Sequence, residues 1–493
     1  MDRRDQQGEA LTENKTGPLA PLPDDVLADV LRRLPPRGLA ASRCVCKSWL
    51  AVVDTRRLLR ADLLPISVGG FFMNFHNYYI SEFFAPLSDG ASISGKHNYL
   101  PEAGCLSWGY VDDHCNGLVL LHDYTDNGGK ICYVLNPATR WLAPVPPCPL
   151  PPMEIKRTFQ VEYLAYDPTE STDYEVVSVT RFGWVNRPGG CLYDTSRDAV
   201  YPEIEQSEWP PSVCILHVFS SRTGQWEERS FARQGDSMGT VSGMRHWPGE
   251  QRNAAYWRGV LYVHCQTDYV MRISLSSNKY HVIKPPPGIE VEHYPQFYLG
   301  KSTKGIYCAS IKGRCRLQVW ILDESGCQME WVLIHDRDLS KWLLKHKLEY
   351  PRPCANYGSK IQGPWALQDI NYYYDDHNRD HNMEALAEEK IEWSVQAYED
   401  EKFTWSSDDE CGCYGGHMDI LGFHPCKEII FLSESITRGL AYHLNSSKVE
   451  VLGNIYPAGY ENELGNEQLL NSSFPYTPCL VTQTADRREE LKS

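Results

Sequence analysis

The sequence predicts an α+β, multidomain protein. A small N-terminal unit of three short helices precedes a mainly-β domain, organised as a propeller of five to eight blades, with six the best fit. Three observations lead there. Residues 21–62 carry apolar side chains at helical spacing, interrupted by Pro35-Pro36. From about residue 105 a strand–turn–strand pattern recurs five times. The 29 Tyr and 14 Trp among 493 residues suit strands, where aromatic side chains pack well.

Residues 1–20 are polar, without periodicity, and are expected to be a disordered lead-in. The first helix is expected to open at Pro23, whose fixed φ suits a first turn. Asp24 and Asp25 place negative charge at the positive end of its dipole. Val26, Leu27, Val30, Leu31 and Leu34 form its apolar stripe, and Pro35-Pro36 end it. Gly38 lies in the turn, Leu39 to Val45 carry a second helix, and a third starts near Lys47 and buries Trp49, Val52 and Val53. About forty residues cannot bury this much apolar surface among themselves, so the excess calls for a partner. By pattern alone, a small helical cap packed on the rest of the chain meets the same description.

Leu22-Pro23-Asp24-Asp25-Val26-Leu27, then Val30-Leu31-Arg32-Arg33-Leu34-Pro35, then Arg43-Cys44-Val45-Cys46-Lys47-Ser48-Trp49 resemble the F-box in order and spacing, down to the closing V-C-K-x-W. The resemblance implies a domain, residues 21–62, that docks on the Skp adaptor of a cullin–RING ubiquitin ligase. It also implies which positions hold that adaptor or the small core beneath it: Leu22, Pro23, Leu27, Val30, Leu31, Leu34, Pro35, Leu39, Val45 and Trp49, with Trp49 the most internal.

Beyond the helices, residues 63–89 turn aromatic, with Phe71, Phe72, Phe75, Tyr78, Tyr79, Phe83 and Phe84. The five hairpins centre on Asn136–Arg140, Ser220–Gln225, Ser274–Lys279, Asp323–Gly326 and Asn445–Lys448, each soon followed by an aromatic or β-branched residue. A second turn-then-strand pattern precedes most of them, at Cys115–Leu121, Tyr256–Val263, Lys304–Cys308 and His424–Leu432. Together they make about four strands per unit, the content of a propeller blade. Successive turns lie roughly 50 residues apart, a blade-length period. The longer gaps leave room for insertions near 182–212 and 351–416, the second also for a further degenerate blade. Phe474–Val481 is expected to close the ring against Phe71–Phe84, and residues 483–493 form a charged tail.

Asn116-Gly117-Leu118, Tyr133 to Trp141 and Tyr163-Leu164-Ala165-Tyr166-Asp167-Pro168 resemble the F-box-associated β-propeller domains of plant F-box proteins, those of grasses in particular. The likeness covers residues 65–482. Its organisation is kelch-like, although the paired glycines of true kelch repeats are absent.

The net charge of −16 argues against general nucleic-acid binding, which needs a basic footprint. The acidity is local: Asp369–Glu410 holds 14 acidic and 3 basic residues. This run reads as a solvated loop, or as a docking surface for a basic partner. The 17 Cys follow no framework. Those in strand-like runs, such as Cys132, Cys214, Cys265 and Cys308, read as reduced, buried apolar groups of a cytoplasmic or nuclear protein. With no apolar leader and no spanning run, no membrane association is expected, and the sequons at Asn14, Asn445 and Asn471 carry no weight.

Catalytic patterns are few. Gly235-Asp236-Ser237-Met238-Gly239 fits G-x-S-x-G, but Thr240 to Gly243 make a poor helix start for a nucleophile elbow. Gly300-Lys301-Ser302 ends like a phosphate loop, yet Pro295 stands where its first glycine belongs. Cys411, Cys413, His417 and His424 or Cys426 are the best zinc candidates, though a C-x-C spacing fits a glycine-rich turn as well. His377 and His381 are read as solvated. The expectation is a non-catalytic adaptor without cofactor or metal, holding a ligase through Skp and an unidentified protein substrate through the propeller. A scaffold outside the ligase, and a propeller enzyme or sugar-binding module, are the alternatives.

Overall fold

The computed structural model describes residues 23–34, 39, 42, 45–56, 58, 68–78, 80–87, 93–96, 109–124, 130–149, 155, 158–182, 202–245, 253–289, 296–326, 329–346, 363–372, 417–460 and 468–479. The chain divides into two compact units, Met1–Pro65 and Ile66–Ser493.

In the first unit a helix spans Asp24–Leu31 and another Lys47–Thr55, and Leu39 and Ser42 are helical between them. The amide of Leu27 donates to the carbonyl of Pro23 at 3.0 Å, which sets the first turn. Leu27, Ala28, Leu31, Leu39, Val52, Val53 and Leu58 form one buried cluster, with Trp49 packed against its side. Arg56 reaches from beyond the last helix to Asp25 on the first.

The second unit consists of six four-stranded antiparallel sheets, counting one eight-stranded sheet as two joined edge to edge. The first sheet contains β1 (Gly70–Phe75) and β2 (Glu82–Pro86). The second is β3 (Tyr110–Cys115), β4 (Leu118–Tyr124), β5 (Lys130–Asn136) and β6 (Trp141–Val145). The third uses β7 (Thr158–Ala165), β8 (Glu175–Phe182), β10 (Val213–Ser220) and β11 (Gln225–Gln234). Between and after these, β9 (Glu208–Trp209) and β12 (Gly239–Thr240) form a short ribbon. The fourth is β13 (Ala254–Trp257), β14 (Val260–His264), β15 (Val270–Ser274) and β16 (Lys279–Ile283). The fifth is β17 (Gln296–Ser302), β18 (Gly305–Lys312), β19 (Arg316–Asp323) and β20 (Glu330–Asp338). Next comes β21 (Trp365–Leu367), then the sixth sheet: β22 (Met418–Phe423), β23 (Ile429–Glu434), β24 (Arg438–His443) and β25 (Val449–Asn454). β26 (Leu470–Tyr476) ends the series.

β26 pairs with β1, with Phe72 opposite Phe474 and Gly70 opposite Tyr476, and β21 pairs with β2. The first sheet is therefore completed by strands from two distant places, in the order β26, β1, β2, β21. The innermost strands then touch in a closed cycle: β26 with β3, β3 with β7, β7 with β13, β13 with β17, β17 with β22, and β22 with β26. This is a six-bladed propeller closed by its last strand, as the sequence led one to expect.

All five expected hairpins are present as the two outer strands of sheets two to six. The first blade left no hairpin signal because its outer strand, β21, is not joined to β2 by a turn. That strand lies inside 351–416, in the gap that the sequence reading left open to an insertion or a further degenerate blade. Close turns are chemically enforced. Asn116 and Gly117 both have positive φ (48° and 90°), as do Arg258 and Gly259, and each pair links the two inner strands of a blade. An Asn-Gly pair is the preferred occupant of such a turn.

Sheets buried on both faces lose the polar–apolar alternation. Phe71 packs towards Leu421 and Phe431 of the sixth sheet, whereas its neighbour Phe72 packs towards Val111 and Val119 of the second. Phe297 and Tyr298 divide in the same way between the fourth and sixth sheets. Outer-strand tryptophans tie neighbouring blades. Trp226 Nε1 donates to the carbonyl of Pro146 at 2.8 Å, and Trp331 Nε1 to that of Lys284 at 3.0 Å. The third and fourth sheets go further and join by parallel pairing of β11 with β16.

Candidate partner-binding surfaces

The N-terminal unit sorts its apolar residues by helical geometry. Leu27 and Leu31 stand four residues apart and face inward; Leu31 is fully buried. Val26 and Val30, one position earlier in each turn, face outward, with Val30 50% exposed. Leu34 is exposed just beyond the first helix, and Val45, before the last, is 61% exposed. Pro23 is exposed as well. The ten positions singled out in the sequence thus fall into two groups. Leu27, Leu31, Leu39 and the half-buried Trp49 build the small core, and Pro23, Val30, Leu34 and Val45 are open to a partner. Leu22 and Pro35 lie outside the described residues. Val26 belongs with the second group, although it was not among the ten. Its place in the stripe was visible, but one stripe does not tell which of two adjacent valine and leucine rows faces in.

At the propeller axis, polar side chains bridge blades. Lys301 Nζ, on the innermost strand of the fifth sheet, donates to Asn116 Oδ1 at 2.6 Å and to the carbonyl of Tyr256 at 3.0 Å. Asn116 Nδ2 donates to the carbonyl of Tyr166 at 2.6 Å. Ser302 Oγ donates to the carbonyl of His424 at 2.8 Å, and Tyr298 Oη to that of Ser473 at 3.2 Å. Lysine and asparagine here act as cross-braces, so Lys301 belongs to a strand and not to a phosphate loop. Burial pushes the Asp113 carboxyl up to about 8 and drives His114 down to about 3, so these neighbours of the axis are neutral at pH 7.

A second buried polar element holds the first sheet's outer strand in place. Glu82 accepts from the amides of Ile370 (2.7 Å) and Asn371 (2.8 Å) and from Asn371 Nδ2 (2.7 Å). Desolvation outweighs these donors and lifts its carboxyl to about 7.

The other chemical candidates are not assembled into a centre. Ser237 is followed by a two-residue strand before the short helix Val241–Arg245, so a helix does follow, contrary to the sequence reading, but not directly. A nucleophile elbow needs the helix at the turn itself. Cys411, Cys413, His377 and His381 lie outside the described residues. His417 is exposed; His424 is buried, its ring lowered to about 4 by desolvation, and its Nδ1 accepts the amide of Cys426 at 3.0 Å. Among the described residues no group of three or more His, Cys, Asp or Glu side chains is placed to hold a metal ion. Among the same residues no helix is long and apolar enough to cross a membrane.

Comparison with known proteins agrees with this division. Residues 19–61 match the F-box domain. A protein named F-box/kelch-repeat protein from Arabidopsis thaliana is 25% identical over 165 residues, which are 30% of this chain and 35% of that protein. An F-box protein of the same plant is 26% identical over 145 residues, 26% of this chain and 31% of its own. The chain thus spans about a third of the length of the relatives it matches. Among solved structures, prolyl oligopeptidase B from Galerina marginata aligns over 82% of this chain and 41% of its own, at 10% identity and a TM-score of 0.31, too low to bear on the fold. Residues 19–61 are an F-box domain, a mostly-β, propeller-like domain follows it, and part of the chain is similar in sequence to plant F-box and F-box/kelch-repeat proteins.

Proposed function

We propose that the chain is the substrate-recognition subunit of a Skp–cullin–F-box ubiquitin ligase. One observation carries the reading: an F-box domain whose Val26, Val30, Leu34 and Val45 remain open to solvent after its own core is complete. Exposed apolar groups on so small a unit point to a protein-docking surface. The Skp adaptor is the partner that the domain's family supplies. The propeller would then present a protein substrate, and the chain would contribute proximity and orientation while another subunit makes the bond. Cytoplasm and nucleus are the compartments where such a ligase works.

Substrate capture is assigned to the loops at one rim. In a ring of antiparallel blades, the connections that leave the second and fourth strands emerge on the same side. Within the insertions near 182–212 and 351–416, residues 183–201 follow β8, a second strand, and residues 373–416 follow β21, a fourth strand. Binding residues favour loops carried on a rigid frame. The test is reconstitution with purified Skp adaptor, cullin and RING subunits. Co-elution of the chain with the whole ligase supports the proposal. A folded chain that takes up neither the adaptor nor the cullin refutes it. If the ligase assembles, removing both loops should abolish substrate capture without disturbing assembly, and unchanged capture would overturn the loop assignment.

A further inference from the structure

The outer strand of a propeller blade presents a free row of N–H and C=O groups, and folded proteins blunt such edges. The outer strands here are protected in different ways. β11 and β16 pair over Ala232–Gln234 and Lys279–His281, and the rest of the β11 edge exposes Glu227 and Glu228. β6 exposes Pro144, which cannot donate to an added strand. β25 exposes Glu450, and β21 is three residues long. β20 differs. Among the described residues its outer edge is unpaired over nine residues, and in its middle Val332, Leu333 and Ile334 are 44%, 47% and 43% exposed. Its one irregularity is a bulge that makes Ile334 the extra residue; Val332 and Leu333 keep their register opposite Ile321 and Trp320.

Val332 and Leu333 are consecutive, so their side chains stand on opposite faces of the sheet. A partner lying against one face would cover only one of them. A strand added along the edge covers the flanks of both and pairs the free backbone as well. The charge at one end narrows the occupant further. Glu330 lies directly opposite Asp323 across the hairpin, both are exposed, and neither has an ion-pair partner among the described residues.

We infer that the free edge of β20 accepts an extended strand from a partner protein, aliphatic in its middle and with a lysine or arginine at the end that meets Glu330 and Asp323. The acidic pair also disfavours pairing of two identical edges, because the chain would bring its own carboxylates to the contact. This surface is independent of the F-box and of the adaptor reading, so either can fail alone.

The test uses the full chain, without adaptor, and fluorescein-labelled nine-residue peptides that alternate valine and threonine and carry one terminal lysine. Binding is followed by fluorescence anisotropy. The wild-type chain should bind. Leu333→Lys, at an exposed site where the melting temperature should not change, should weaken binding at least tenfold. A proline at the peptide's centre should do the same, and glutamate in place of the lysine should weaken it severalfold. Absence of binding to the wild type, equal binding of all peptides, or equal binding by the Leu333→Lys chain would overturn the inference. So would a concentration-dependent dimer of the wild type that Leu333→Lys dissolves, since a second copy would then be the occupant.

Discussion

Adjacent residues of the first helix should respond to the same substitution in opposite ways. Leu31 is fully buried in a cluster of seven residues, and Val30 beside it is half exposed. Leu31→Asp removes about 2 kcal/mol of apolar burial and places a carboxylate where nothing can pair with it, at a further penalty of several kcal/mol. A unit of about forty residues has only a few kcal/mol to lose, so this variant should unfold the F-box. Val30→Asp is at an open site and should change the stability of the free chain by less than about 1 kcal/mol. Combined with Val45→Asp, it puts two carboxylates into the proposed adaptor contact. Loss of about 2.7 kcal/mol would raise the Kd about a hundredfold, and unpaired buried charge should exceed that. Calorimetric titration of the full chain with purified Skp adaptor measures the affinity. Hydrogen exchange at Leu31 and Val53 shows whether the small core survives. The reasoning is refuted if Val30→Asp/Val45→Asp binds as well as wild type, or if exchange shows that its loss of binding comes with loss of the core.

Three other outcomes are expected. Tyr476→Ala removes a fully buried ring from the closing strand and should lower the unfolding free energy by about 3–5 kcal/mol, read by chemical denaturation; a change below 1 kcal/mol would mean that β26 does not hold the ring shut. Gly117→Ala forces a Cβ to within 2.2 Å of the Cys479 side chain at a φ of +90°, so a marked fall in melting temperature should follow, whereas Gly235→Ala, with open space around it, should show only the smaller effect of its own positive φ. Glu82 has a raised pKa, so its contribution to stability is fully present below the unfolded value of about 4.5 and is lost as pH rises through about 7. Glu82→Gln should therefore flatten the melting-temperature profile across that window, and parallel profiles would show that the carboxyl is ionised throughout.

The sequence alone determined the order of the units, the F-box and the five hairpins, because each is local. A helical stripe ends at Pro35-Pro36, an Asn-Gly turn needs only two residues, and a blade hairpin needs about fifteen. It even placed the closing strand, since an apolar aromatic run at Phe474–Tyr476 needs a partner and the first blade starts with one. Tertiary structure decided the rest. The first blade takes its outer strand from Trp365–Leu367, across nearly 300 residues of chain, and no local turn announces such a pairing. Lys301 reads as one more basic residue until the closed ring brings Asn116 and Tyr256 to its ammonium group. Which side of the first helix faces outward was open as well: Val30 and Leu31 are chemically alike, and only the packing of Leu39, Val52 and Val53 against Leu31 leaves Val30 outside. Periodicity counts apolar positions, but burial depends on where the neighbouring elements come to rest, and contacts between residues distant in the chain fix that.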